Sequence, residues 1–281
     1  MEIIINYFEN ISSLHRSILL VGGISFFWFI EGAIPLFNLN YQKWKHAIPN
    51  LFFTLTTIII NFFLAFLLVS ASDLVVERNF GILSFFANYS LVFKITIGIL
   101  LLDFFGAYLA HYVEHRVKPL WMIHLVHHSD HNVDTTTANR HNPLESIIRF
   151  TFTLFGVVVV GAPIGYVMLY QSLSLIFSQF NHANIKLPKR VDKIISYVFV
   201  SPDMHKIHHH YRLPYTDANY GNIFSIWDRI LGTYMDFSRE KIKYGVDVFP
   251  NEEKNSKIGE LLKQPFEPYQ RPTIEPDKIK F

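Results

Sequence analysis

Fourteen histidines occur in this 281-residue chain, and eleven of them lie between His111 and His209. Their spacing is what makes chemistry possible. His111-Tyr112-Val113-Glu114-His115 sets two imidazoles at i and i+4, on one face if the segment is helical. His124-Leu125-Val126-His127-His128 sets three at i, i+3 and i+4, and His205-Lys206-Ile207-His208-His209 repeats that spacing. Three imidazoles on one face are poor core packing, because each buried ring needs a hydrogen-bond partner. They are good metal ligands, since imidazole suits iron, zinc and copper alike. Together with His182 they make nine candidate ligands. A tetrahedral zinc site takes four protein ligands or fewer, so nine require two metals. Spacing does not choose the metal.

The elements that must hold these rings follow from local signals. Pro119 suits the first turn of a helix through His128, and Ser201-Pro202-Asp203 reads as N-cap, N1 proline and first-turn acid of another. Asn142-Pro143-Leu144-Glu145 has the same form, with Asn142 as cap and Glu145 at N3. Asp103 falls eight residues, about two turns, before His111 on the same helical face, where it would support a ligand. Asp103, Glu145, Asp203 and Asn219 are the candidates to orient imidazoles. His131, His141 and His210 are held outside the ligand set.

Composition sets the surroundings. Half the chain is hydrophobic, Phe alone contributes 27 residues, and the mean hydropathy is +0.22. Apolar runs at Ser17–Phe37, Ile48–Ser70 and Leu91–Ala110 each approach the ~20 residues that cross ~30 Å of hydrocarbon. The first lacks a small-residue cleavage site and reads as a retained helix. Asp73, Glu77, Arg78 and Asn79 read as a loop on the far side. A fourth run, Ile147–Phe180, is broken at Gly161-Ala162-Pro163 and reads as a hairpin that enters and leaves on one side. The expected fold is an all-α integral membrane protein, with roughly three transmembrane helices, a re-entrant or short helical hairpin, and a cytoplasmic helical cap carrying the histidines. Its parts are membrane spans at 1–110, a histidine-box region at 111–237 that includes the hairpin 147–180, and a cytoplasmic tail at 238–281, in which Lys257–Leu262 reads as a surface helix.

Sidedness follows from Lys and Arg. Lys43, Lys45, Arg116, Lys118 and Arg140 flank the spans on the histidine side, and sixteen Lys or Arg follow residue 181. Arg16, Arg78 and Lys94 fall opposite. The histidine side is therefore expected in the cytoplasm, of a bacterial inner membrane or the endoplasmic reticulum. A net charge of +2 with no basic stripe excludes a nucleic-acid binder. The absence of cysteine excludes disulfides and thiolate metal sites.

These motifs resemble the fatty acid hydroxylase superfamily, the histidine-box membrane oxygenases that include sterol desaturases and alkylglycerol monooxygenases. The resemblance runs from Asp103-Phe104 through the first two boxes, Arg140-x-x-Pro143-Leu144-Glu145, His182-x-Asn184 and the third box. It closes with Asn219-Tyr220-Gly221 and Trp227-Asp228-Arg229-Ile230-Leu231-Gly232-Thr233, about half the chain. It implies two iron ions bound by the nine histidines, O2 as co-substrate, and oxidation of an unactivated C–H bond of a membrane lipid by hydroxylation or desaturation. It also implies a separate electron donor, a cytochrome b5-like protein or a ferredoxin or flavoprotein, since no His-Pro-Gly-Gly haem signature occurs. The chain departs from the usual pattern at Tyr112, where many relatives have Arg, and at Asn142, where many have His.

Two other functions compete. His111-x-x-Glu114-His115 fits the inverted zinc-peptidase signature, with Glu114 as general base, but leaves two boxes without work. A metal transporter or sensor would place ionisable groups at mid-membrane, where only Glu31 and Asp103 qualify.

Overall fold

A computed structural model describes residues 1–270, so the end of the expected tail, 271–281, lies outside the described residues. All regular elements among the described residues are helices. After a short α1 (Glu2–Glu9), four helices are long and apolar enough to cross a membrane: α2 (Ser13–Ala33), α3 (Lys43–Glu77), the continuous helix Leu91–Arg116, and α7 (Pro143–Val160). The third of these consists of α4 (Leu91–Asp103), a π turn at Phe104–Tyr108, and α5 (Leu109–Arg116). The remaining elements are α6 (Lys118–His128), α8 (Ile164–His182), α9 (Lys189–Ile195), α10 (Pro202–His208), α11 (Ile226–Ile230) and α12 (Ile258–Lys263).

The expected polar loop after the second span is shorter than the sequence suggested. α3 continues through Asp73 to Glu77, because exposed polar side chains do not end a helix whose backbone stays paired. At 35 residues it is about 52 Å long at ~1.5 Å per residue. It therefore outreaches the hydrocarbon, and its first turns stand beside the histidine region. Phe62, Phe63 and Phe66 along its length are exposed, which suits acyl chains better than water.

The 147–180 run is a helical hairpin, α7 and α8, joined by Gly161-Ala162-Pro163. Gly161 ends α7 with φ +70°, the left-handed region. Its turn meets the α3–α4 loop so closely that a Cβ on Gly161 would lie 2.1 Å from Phe80 O. Ser72 Oγ also donates to Ala162 O at 2.8 Å. The hairpin thus begins with α7 and ends with α8 at the histidine side, while the turn reaches the far end of the bundle. Leu68, Ile99, Leu102, Val157, Val160 and Val167 interdigitate between α3, α4, α7 and α8. In a bilayer such packing works through close contact, since lipid is as apolar as the side chains themselves.

The histidine end is closed by polar ties. Glu31 at the end of α2 accepts from Thr135 N at 2.6 Å and from Asn184 N at 2.9 Å. His46 on α3 meets Asp130 at 2.8 Å and Asp134 at 3.2 Å. Segments of the tail cover α6: Val246, Val248 and Phe249 pack on Met122 and Leu125, and Leu261 of α12 packs on Phe53 and Val126.

Candidate metal centre

Each box is helical, as its spacing requires. α5 puts His111 and His115 one turn apart just after the π turn, an irregularity that re-aims the residues following it. α6 begins with Pro119 in its first turn, and Ser201 Oγ caps α10 by accepting from Met204 N at 3.3 Å. His182 ends α8. These four helix ends converge, and all nine rings are buried.

The rings divide into two groups. In one, His111, His115, His124, His128 and His208 each offer a nitrogen within 4.8 Å of the others; in the second, His127, His182, His205 and His209 do the same. Four rings of the first group are tied from behind through Nδ1. His111 Nδ1 lies 2.8 Å from Tyr220 O, His208 Nδ1 2.7 Å from Ala218 O, His124 Nδ1 2.7 Å from Glu145 and His115 Nδ1 3.2 Å from Asp217. Each partner is an acceptor, so each Nδ1 carries the proton and each Nε2 is a lone pair. Those four Nε2 atoms are buried and have no hydrogen-bond partner.

The second group has its hub at His182. Its Nδ1 faces Ser178 O at 2.7 Å and Asn181 Oδ1 at 2.8 Å, which leaves Nε2 as an acceptor. The Nε2 atoms of His127, His205 and His209 lie 3.1, 3.0 and 3.2 Å from it. Nitrogens about 2.1 Å from a shared cation at right angles would stand about 3 Å apart. Converging buried lone pairs repel without a cation and satisfy one with it. The residues therefore fit a pair of imidazole-bound metal ions.

Burial pushes His124, His127, His128, His205, His208 and His209 below the ordinary imidazole range, and neighbouring rings add to the shift. Neutral imidazole is the form that ligates. Lys206, inside the third box, is buried and donates to His182 O. Burial lowers its ammonium to about 8, against the pull of Glu31 and Asp134.

The four expected orienting residues fare differently. Glu145 holds His124 and also meets His141 Nδ1 at 2.6 Å. Asp103 reaches no imidazole: it accepts from Ile223 N and Phe224 N at 3.3 Å and from Trp227 Nε1 at 3.1 Å, and so anchors the loop that carries Tyr220. The π turn between it and His111 breaks the helical register that the spacing assumed, and the backbone of that loop takes its carboxylate. Asp203 pairs with Arg239, because it faces outward from α10. Asn219 lies at φ +57° and donates to Met204 O at 3.0 Å and Met235 O at 2.8 Å, joining two segments rather than touching a ring. Neither His131 nor His210 enters either group, and His141 stacks on His127 at 4.9 Å from outside them.

Sequence reasoning missed Asp217, Arg149 and the carbonyls of Ala218 and Tyr220. Carbonyls carry no residue signature. Arg149 lies one turn after Glu145, a spacing that was available to read. Glu114, the general base of the peptidase reading, lies on the Nδ1 side of His124 at 3.9 Å and is gripped by Arg149 at 2.7 Å. That is behind the rings, away from the converging Nε2 atoms.

A family model described as fatty acid hydroxylase matches residues 95–233, which hold all nine histidines. The chain belongs to the fatty acid hydroxylase superfamily. Among curated members of that superfamily, an ornithine lipid hydroxylase from Rhizobium tropici is 24% identical over 147 residues, 52% of this chain and 43% of the relative. Human alkylglycerol monooxygenase is 25% identical over 144 residues, covering 50% of this chain and 31% of the relative. The zebrafish (Danio rerio) monooxygenase is 29% identical over 142 residues, 50% of this chain and 30% of its own. The match to these hydroxylase relatives thus spans less than half their length. No solved structure matches this superfamily member significantly.

Proposed function

We propose that this chain is a membrane di-iron oxygenase that hydroxylates a lipid, with its histidine side in the cytoplasm. The observation that carries the reading is the convergence of nine buried imidazoles in two groups, five of which (His111, His115, His124, His182 and His208) turn Nδ1 outward to an acceptor. His111, His115, His124, His128 and His208 would hold one iron, and His127, His182, His205 and His209 the other. Bound there, iron supplies the reduction of O2 and the oxidation of an alkyl C–H bond, which no side chain can perform.

The chain's own residues do the rest. Glu145, Asp217 and the carbonyls of Ala218 and Tyr220 fix tautomer and ring orientation, which raises ligand basicity. Arg149 pairs with both Glu114 and Glu145 behind the rings. Spans lined by Phe and Leu bring a lipid to the boundary where the rings lie. The second oxygen atom leaves as water, which requires electrons and protons; the electrons are assigned to a separate donor protein on the cytoplasmic side. Lipid hydroxylation is favoured over desaturation by the names of the relatives, an ornithine lipid hydroxylase and alkylglycerol monooxygenases.

The test is expression in a host of defined lipid content, with O2 supplied or withheld, followed by lipid mass spectrometry. Wild type should yield an O2-dependent lipid heavier by one oxygen, and His208→Ala should not. A product that survives His208→Ala would overturn the site. Purified protein should carry about two iron equivalents; a single zinc would return the peptidase reading.

A further inference from the structure

Two short helices outside the histidine site carry large apolar side chains that the described residues leave exposed. α9 and the turn after it expose Val191, Ile194 and Tyr197; α11 and its end expose Ile226, Ile230 and Leu231. Ile194 is 62% exposed and Ile230 65%. Hydrogen bonds stitch the two segments into one face. Ser225 Oγ and Arg229 Nη2 each donate to Ser196 O at 2.7 Å, and Ser225 N donates to Val198 O at 3.1 Å. The Arg229 guanidinium lies over the Tyr234 ring at 4.0 Å and the Tyr197 ring at 5.3 Å, held along the edge of the face.

The level of this face along the spans identifies what covers it. Trp227 of α11 packs on Phe104 with ring centroids 4.9 Å apart. Phe104 lies six residues before the end of the apolar run Leu91–Ala110, about 9 Å deeper at ~1.5 Å per residue. On the other side, Phe199, which follows α9, stacks on Phe177 of α8 at 5.1 Å. Phe177 lies five residues before His182, again about 8 Å below that helix end. Both attachments set the face below the rim of the bundle. Phe104 belongs to the span Leu91–Arg116 and Phe177 to the hairpin arm α8, so the face is fastened to the bundle at that depth. A patch of this kind on water would be an association liability, whereas in a leaflet it is solvated. Lys189, Arg190 and Lys193 are exposed at its margin, with Lys189 also 2.8 Å from Glu240. Their long stems suit cations that reach to lipid headgroups.

We propose that α9 and α11 form a membrane-docking face, seated in the leaflet on the histidine side, with its apolar side chains among acyl chains and Lys189, Arg190 and Lys193 at phospholipid headgroups. Interfacial helices bind membranes by this division of apolar and basic faces. The occupant is the bilayer and not a second copy, because both attachments hold the face about 8–9 Å below the rim of the spans, at the level of hydrocarbon.

The chain contains no cysteine, so Ile194→Cys and Ile230→Cys each create one attachment point for a nitroxide. In liposomes of phosphatidylcholine with anionic phosphatidylglycerol, power-saturation spectroscopy compares collision with O2, which concentrates in hydrocarbon, and with a water-soluble nickel chelate. Both labels should respond several-fold more to O2 than to nickel. A label at Glu253→Cys, exposed on the tail, should show the reverse. Nickel accessibility at Ile194 and Ile230 equal to that at Glu253 would overturn the proposal. Shielding from both relaxants would overturn it too, and would mean that protein covers the face. Val191→Cys and Leu231→Cys probe the same face should either first variant fail to fold. The readout needs neither metal nor turnover, so its failure is distinguishable from failure of the oxygenase reading.

Discussion

Glu145 Oε1 lies 2.7 Å from His124 Nδ1, and the same oxygen is 3.0 Å from Arg149 Nε. One carboxylate therefore sets the tautomer of a ring in the first histidine group and is itself fixed by a cation one helical turn away. Removing such a support typically costs about 10–100-fold in metal affinity. Glu145→Ala should fall near the upper end of that range and Glu145→Gln, which keeps an acceptor, near the lower. Iron retained against a graded chelator measures both. Wild-type retention in Glu145→Ala would remove the orienting role.

Arg149 is the cation that two buried carboxylates share, at 2.7 Å from Glu114 and 3.0 Å from Glu145. Deleting one partner of a buried charge pair leaves the other unpaired and costs about 3–5 kcal/mol. Arg149→Met should destabilise the solubilised protein by about that much, and adding Glu114→Gln should restore part of it. Denaturant or thermal melts of the single and double variants read the coupling. Strict additivity would show that the pair does not interact.

Six histidines of the second and third boxes are held neutral by burial, with folded values below the ordinary ~6.5. Below about pH 6.5 the unfolded chain takes up protons at these rings that the folded chain refuses, so stability rises with pH there. The contribution is intact above the unfolded value and is lost as pH falls towards the depressed folded values. Metal-free protein in detergent should lose melting temperature steadily from about pH 7 to about pH 5. A flat profile over that window would show that the rings are not buried neutral.

Gly161 sits at φ +70° with Phe80 O where a Cβ would stand. Gly161→Ala adds left-handed strain of about 1–2 kcal/mol to a backbone clash, and should lower the melting temperature by several degrees. Gly259, in α12 with open space around it, is the contrast: alanine there should be neutral or stabilise by up to about 1 kcal/mol. An equal loss at both positions would mean that the turn contact is unimportant.

The grouping of the nine histidines was legible because helical spacing is a local property. His124, His127 and His128 share a face whatever surrounds them, and the caps Asn142 and Ser201 and the proline in α6 lie within a turn of what they cap. The apolar runs were legible for the same reason. What holds the rings was not. His111 is supported by Tyr220, 109 residues away, and His208 by Ala218, both through carbonyls that every residue possesses. Asp103 shows the same limit from the other side. It was expected on the face of His111, but a π turn intervenes and the loop that arrives from residues 223–227 takes the carboxylate. Asp217 came without warning because its partner, His115, is 102 residues distant.

The loop from Ala218 to Phe224 carries a consequence for how the protein is made. It supports rings from the first and third boxes and is itself fastened to Asp103, midway along a span that the ribosome delivers more than a hundred residues earlier. Three of the four helices that bear the nine histidines can therefore be complete while the first histidine group still lacks one ring, His208, and three supports, Asp217 and the carbonyls of Ala218 and Tyr220. The centre is a keystone arch, complete only when its last stone is set. A nascent chain arrested before residue 200 should emerge with its spans inserted and no tightly held iron, and one extended past residue 233 should hold it.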